Sequence, residues 1–147
     1  MPYQVEVKYA PPQTIAVLRR LAKQSELSRV APDGCGKVWN FLRAAGFAGG
    51  RHVAVYLDCA INLEVGAEVM APFVGDGDVF CSATPVGIVA TTSHIGPYHR
   101  LNEAHQAIRD WSVGSGRQFA GTSWEIYGHW TDDPTQLRTD VIYLLTA

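Results

Sequence analysis

The chain has 147 residues, 47% of them hydrophobic and 18% charged, with a formal net charge of −2. This is the make-up of one ordinary globular domain, residues 1–147, with enough chain for a sizeable core. It provides no basic field to draw in nucleic acid, no run approaching the ~20 apolar residues of a membrane span, and no cysteine spacing that suggests a disulfide framework or a metal site.

In chain order, Val5, Val7 and Tyr9 alternate with polar residues as a first strand, ended by Pro11-Pro12. Thr14 to Leu18 is a second. Lys23 to Gly36 is polar and carries Pro32, Gly34 and Gly36, which reads as a loop. Val38, Phe41, Leu42 and Ala45 fall at helical spacing, so a helix is expected from about Cys35 to Ala45, with Gly46 at its end. Strands follow at His52 to Asp58 and Val65 to Met70. Gly75-Asp76-Gly77-Asp78 is a turn, lacking the ligand run of a calcium loop. Val79 to Ala83 and Val86 to Ser93 are further strands. Gly96-Pro97 opens a second helix with the stripe Tyr98, Leu101, Ala104, Ile108 and Trp111, ending near Gly114. Ser123 to Trp130 and Thr139 to Leu145 close the chain as strands.

This order contains a repeat. Each half, about 1–80 and 81–147, runs strand, helix, strand, strand. Val53-Ala54-Val55-Tyr56 matches Trp124-Glu125-Ile126-Tyr127, which puts Tyr56 and Tyr127 in the same role and Ala54 where Glu125 sits. The expected fold is α+β: a mainly antiparallel sheet of two pseudo-symmetric modules, with helices on one face and a central cleft. Val53, Val55, Trp124 and Ile126 are expected to face the helices, with the cleft on the other side.

The sharpest chemical feature is the strand Ser123 to Gly128. Its alternation puts Ser123, Glu125, Tyr127 and His129 on one face. A glutamate is rarely buried without a partner, so on a covered face Glu125 would call for a cation. Other constellations fail. His94, His99, His105 and His129 form no paired-ligand motif and read as ordinary surface or core histidines. Gly34-Cys35-Gly36-Lys37 lacks the first glycine and the Ser/Thr of a phosphate loop. No metal and no cofactor are expected.

Taken together, Thr92-Ser93-His94-Ile95-Gly96-Pro97-Tyr98 with Leu101 and Ala104, then Trp124-Glu125-Ile126-Tyr127 and Arg138-Thr139-Asp140-Val141, resemble the GyrI-like effector-binding domains over nearly the whole chain. Val65-Gly66-Ala67-Glu68-Val69 also resembles that family's first-half strand. The resemblance implies a cleft that receives hydrophobic cations and drug-like molecules, with Glu125 as the acidic partner and aromatic rings stacking around it. Tyr56 and Tyr127 are the first aromatic candidates by strand parity. Trp39, off the Val38/Leu42/Ala45 stripe, is a candidate for the rim. Tyr98 faces either core or cleft, and Glu68, sharing a face with Glu64, is a candidate second acid.

The leading expectation is a stand-alone small-molecule binding protein that captures or senses hydrophobic, cationic or drug-like ligands. It would not contact nucleic acid directly or enter a membrane. Met1-Pro2-Tyr3-Gln4-Val5 lacks the basic-then-apolar order of a signal peptide, which points to the cytoplasm. A homodimer is compatible with the repeat. The alternative, also implied by the resemblance, is a hydrolase of electrophilic natural products, with Glu125 acting on water and Tyr127 on the leaving oxygen.

Overall fold

The computed structural model describes residues 3–21, 27–57, 62–75, 77–128 and 131–146, with the backbone alone over 27–32. Its strands are β1 (Glu6–Ala10), β2 (Thr14–Leu21), β3 (Gly49–Tyr56), β4 (Asn62–Val69), β5 (Phe80–Ala83), β6 (Gly87–Ile95), β7 (Phe119–Tyr127) and β8 (Arg138–Leu145). Two helices, α1 (Leu27–Ala45) and α2 (Asn102–Ser115), complete it. All strands join one antiparallel sheet in the order β1-β6-β8-β7-β3-β4-β2-β5.

The expected repeat is present: β2-α1-β3-β4 and β6-α2-β7-β8 read outward from the central β3/β7 pair as mirror lists. The edge strands are exchanged. β1 precedes the first module in sequence but pairs with β6, and β5 precedes the second but pairs with β2. Each module's outermost hydrogen bonds therefore come from the other half of the chain. In the centre, Ala54 lies opposite Glu125 in register. These two are repeat equivalents, so the pseudo-twofold axis passes between them.

The first helix begins earlier than expected. Residues 27–36 are helical rather than loop, while 22–26 lie outside the described residues. Gly34 explains the composition: an ideal Cβ there would stand 2.1 Å from Cγ2 of Val65. The glycine is there because α1 comes down close on β4, not because the chain turns. Gly46, at φ 78°, ends the helix in the left-handed conformation, and Phe47 N–H bonds the Leu42 carbonyl at 2.9 Å. Gly116, at φ 73°, does the same for α2. The second helix is preceded by a 3-10 turn, Tyr98–Arg100, so Pro97 starts that turn rather than α2 itself.

Two apolar layers flank the sheet, and their assignment reverses one expectation. Under α1 lie Ala16, Leu18 and Ala67 with Val38 and Leu42, and beside them Ala54, Leu63 and Val65 with Cys35. Under α2 lie Ala90 and Val141 with Ala104 and Ile108. The helix side of the sheet is thus rich in alanine, which lets the helices approach. Val53, Val55 and Trp124 face the other way, in a cluster with Ile15, Val17, Val89 and Ile142. Ala10 and Phe80, from the two edge strands, pack on that cluster together with Ile126. The strand parity was legible, but the helices sit on the Ala54/Glu125 side.

Among the described residues, no helix is long and apolar enough to cross a membrane. Of the cysteines, Cys35 is free and buried and Cys81 is free, while Cys59 is outside the described residues.

Candidate functional site

α1 lies over β2, β3 and β4, and α2 over β6 and β8. The helical side of β7 therefore lies between them, and it carries Glu125. This carboxylate is 4% exposed. A carboxylate so buried needs donors, and three side chains supply them. Tyr56 Oη donates to Oε1 at 2.9 Å, Tyr127 Oη donates to the same oxygen at 2.5 Å, and His105 Nε2 lies 2.5 Å from Oε2. On the far side of the imidazole, Nδ1 is 2.7 Å from Tyr143 Oη. The two repeat-equivalent tyrosines thus converge from β3 and β7 on one acid at the pseudo-twofold axis.

The electrostatics follow from this geometry. Burial, the largest single influence on Glu125, pushes its carboxyl up, but the His105 bond and charge, then the Tyr127 and Tyr56 bonds, outweigh it. The net result holds the group below its ordinary value of 4.5. Burial first and the Glu125 charge second raise both phenols, Tyr127 well above its ordinary range, so they serve as neutral donors. A depressed carboxyl contributes stability that is fully present above its unfolded value and is lost as pH falls through the folded one. Urea midpoints are therefore expected to drop between about pH 5 and pH 3, and Glu125→Gln to flatten that drop. An unchanged acid limb in the variant would remove Glu125 from the acid-labile set.

The cluster is one side chain deep. Tyr56, Tyr127, His105 and Tyr143 are each partly exposed. Tyr98, 41% exposed, meets Tyr127 edge-on at 5.9 Å between ring centroids, so it stands at the mouth. Burial raises its phenol. Phe119 packs on Tyr143 at 4.8 Å. Trp39 meets His52 edge-on at 5.7 Å, and His52 is the register partner of Tyr127. Trp39 covers Gly49, where an ideal Cβ would be 3.0 Å from its Cη2. Its buried indole N–H has no acceptor among the described residues.

Five of the six sequence candidates thus share the helix side of the sheet, with Glu125, Tyr56, Tyr127 and Tyr98 in contact and Trp39 one ring further out. Glu68 is not among them. It lies on the other face, gripped by Arg51 through Nε at 2.9 Å and Nη2 at 3.0 Å. Glu64, on the same face, is 4% exposed and holds Arg19 at 2.9 Å and Ser82 at 3.0 Å. A pocket of about 460 Å³ also opens on that other face, bounded by Lys8, Arg51, Ser93, Ile126, Arg138 and Asp140. Its arginines are already committed to Glu68 and Asp140, so it is separate from Glu125 and selects no clear ligand charge. His129 lies outside the described residues.

The residue that sequence reading missed is His105. Its signal was present: it stands four residues after Leu101 and three before Ile108, on the buried stripe of α2. When the helices are registered by their capping glycines, Gly46 and Gly116, Cys35 occupies the place of His105. Cys35 and Ala54 in one module thus stand where His105 and Glu125 stand in the other. Burial lifts the Cys35 thiol to about 11, so it is an apolar wall group. Among the described residues, no group of three or more His, Cys, Asp or Glu could hold a metal.

Comparison with known proteins agrees with the fold. The family model for the GyrI-like small molecule binding domain matches residues 3–145. No curated protein matches the sequence. The crystal structure of the EcmrR C-terminal domain is similar at TM-score 0.82 and 19% identity, covering 99% of each chain. The cryo-EM structure of EcmrR with DNA is similar at 0.79 and 19%, covering 99% of this chain and 58% of that one. The structure of SAV2435 bound to tetraphenylphosphonium is similar at 0.66 and 8%, covering 100% and 95%.

Proposed function

The chain belongs to the GyrI-like small-molecule binding domain family, and from that premise we propose that it captures a hydrophobic cation between its two helices, with Glu125 as counter-charge. One observation carries this reading: a carboxylate 4% exposed, held ionised at the pseudo-twofold axis by two tyrosines and a histidine, with no lysine or arginine bonded to it among the described residues. A delocalised cation loses water on entering such a site, and a fixed charge in a low-dielectric surround offsets that loss. The rings of Tyr56, Tyr98, Tyr127 and Tyr143 add cation–π attraction of about 0.5–2 kcal/mol each where a ligand lies over their faces. The solved relative that carries tetraphenylphosphonium makes that ion a natural first probe.

The geometry weighs against the hydrolytic alternative. A general base needs a carboxyl raised toward neutrality and within reach of the proton it takes. Glu125 is held low and accepts from three donors. Tyr127 spends its hydroxyl on Glu125, and both ring nitrogens of His105 are engaged.

The test is a fluorescence titration with tetraphenylphosphonium and rhodamine 6G, using wild type and Glu125→Gln. Saturable binding is expected in the wild type, weakened about 10- to 100-fold in the variant, while a neutral aromatic ligand binds both alike. Equal affinity of the two proteins for the cations would sink the role of Glu125.

A further inference from the structure

Glu125 is not waiting empty-handed. His105 already stands where a ligand's charge would act, with Nε2 2.5 Å from Oε2. Resting on the cation-capture reading above, we infer that capture is an exchange: the His105 imidazolium is the resident cation of the site, and an incoming hydrophobic cation replaces its charge as His105 gives up one proton to solvent.

The groups around the ring make this exchange feasible. The imidazole meets Glu125 of β7 and Tyr143 of β8 directly, while Tyr127 of β7 and Tyr56 of β3 bond the other oxygen of the same carboxylate. Tyr98 of the 3-10 turn touches Tyr127, and Tyr56 and Tyr127 pack against the cluster that holds Cys35 of α1. β6, the other strand beneath α2, contributes Ala90 and, further along the same face, His94. That histidine is occupied by Tyr3 at 2.8 Å and by the Pro97 carbonyl at 3.0 Å. Glu125 is therefore the only carboxylate facing the ring among the described residues. With His105 protonated the cluster is neutral overall, and a second cation would leave an uncompensated buried charge, which is costly. Losing one proton restores neutrality.

Tyr143 allows that proton to leave without stranding a polar atom. A hydroxyl both donates and accepts. It accepts from Nδ1–H of the imidazolium at 2.7 Å and, after the Nδ1–H bond breaks and the proton passes to water, turns to donate to the nitrogen lone pair. Nε2–H stays on Glu125 throughout. The ring keeps both hydrogen bonds and sheds only its charge.

The experiment is calorimetric titration of the full chain with tetraphenylphosphonium in pairs of buffers of different ionisation enthalpy, at a series of pH values from about 5 to about 9. Roughly one proton should be released per cation bound at the acidic end, with affinity rising about tenfold per pH unit there and levelling off above. The neutral analogue triphenylphosphine oxide should release none. In His105→Gln, the release should vanish and the affinity become independent of pH. Binding in the wild type with no proton release overturns the exchange and leaves cation capture standing. Release that persists in His105→Gln also overturns it, since the proton then comes from another group. Failure of the wild type to bind the cation at any pH overturns the capture reading itself and the exchange with it. The wild-type buffer-pair result decides even if the variant does not fold.

Discussion

Trp124→Ala is expected to lower the unfolding free energy by about 3–5 kcal/mol, the usual cost of removing a large buried ring. Trp124 is 2% exposed. It lies between Val55 and Ile142, its register partners on either side, and belongs to the cluster that fills the face away from the helices. The ring has nothing to replace it, because its neighbours are already fixed by the sheet. The next residue along the strand gives the contrast. Glu125 points the other way, and Glu125→Gln keeps the shape but only one of the two acceptor oxygens, so it should cost less stability at neutral pH than Trp124→Ala and fall mainly on cation binding. Urea midpoints of the two variants at neutral pH measure this. A Trp124→Ala loss below about 1 kcal/mol would mean that the face away from the helices is not a true core.

The two neighbours also show what was legible in the sequence. Period-two alternation gave the parity of β3 and β7 correctly, and the repeat gave Tyr56, Tyr127 and Glu125 as a set. Parity alone does not say which side a helix will cover. The repeat alignment predicts that the large apolar residues Val53, Val55, Trp124 and Ile126 face the helices. The opposite holds, since α1 and α2 need small residues beneath them and find Ala16, Ala54, Ala67 and Ala90. The clue was the size of the side chains rather than their hydrophobicity.

Other misses have similarly local causes. Pro32, Gly34 and Gly36 together look like a loop, yet Gly34 is demanded by contact with Val65, a residue thirty-one positions on. Nothing near Glu68 in sequence announces Arg51, and the pair forms because β3 and β4 are adjacent. Metal-ligand spacing does not distinguish His105 from the other histidines. Its position on the buried stripe of α2 does, since a titratable residue on an apolar stripe needs a partner. The exchange of β1 and β5 between modules left no trace in the sequence pattern at all, because edge pairing is decided by backbone hydrogen bonds.

Gly66→Ala is expected to be the most damaging of the small substitutions, at about 3 kcal/mol or more, because it overpacks against main chain rather than side chain. An ideal Cβ on Gly66 would stand 1.8 Å from the Ala16 carbonyl oxygen and 2.9 Å from Cα of Val17. Val17 is the register partner of Gly66, so relief would require β2 and β4 to separate. Both strands are central to the first module, with Ala16, Val17, Val65 and Ala67 fully buried. The carbonyl of Gly66 also accepts the Cys35 thiol at 3.6 Å, which ties α1 to the same point. Gly34→Ala is the informative comparison. Its Cβ would meet only the Val65 side chain and no main chain, so truncating that side chain can clear the clash. Its cost should be smaller, and it should be relieved in part by Val65→Ala in the same chain. A double-mutant cycle on Gly34 and Val65 is therefore expected to show coupling. The same Val65→Ala change should rescue Gly66→Ala not at all. If Gly66→Ala proves as mild as Gly34→Ala, then β2 and β4 are not held at the spacing on which the placement of α1, and with it one wall of the Glu125 site, depends.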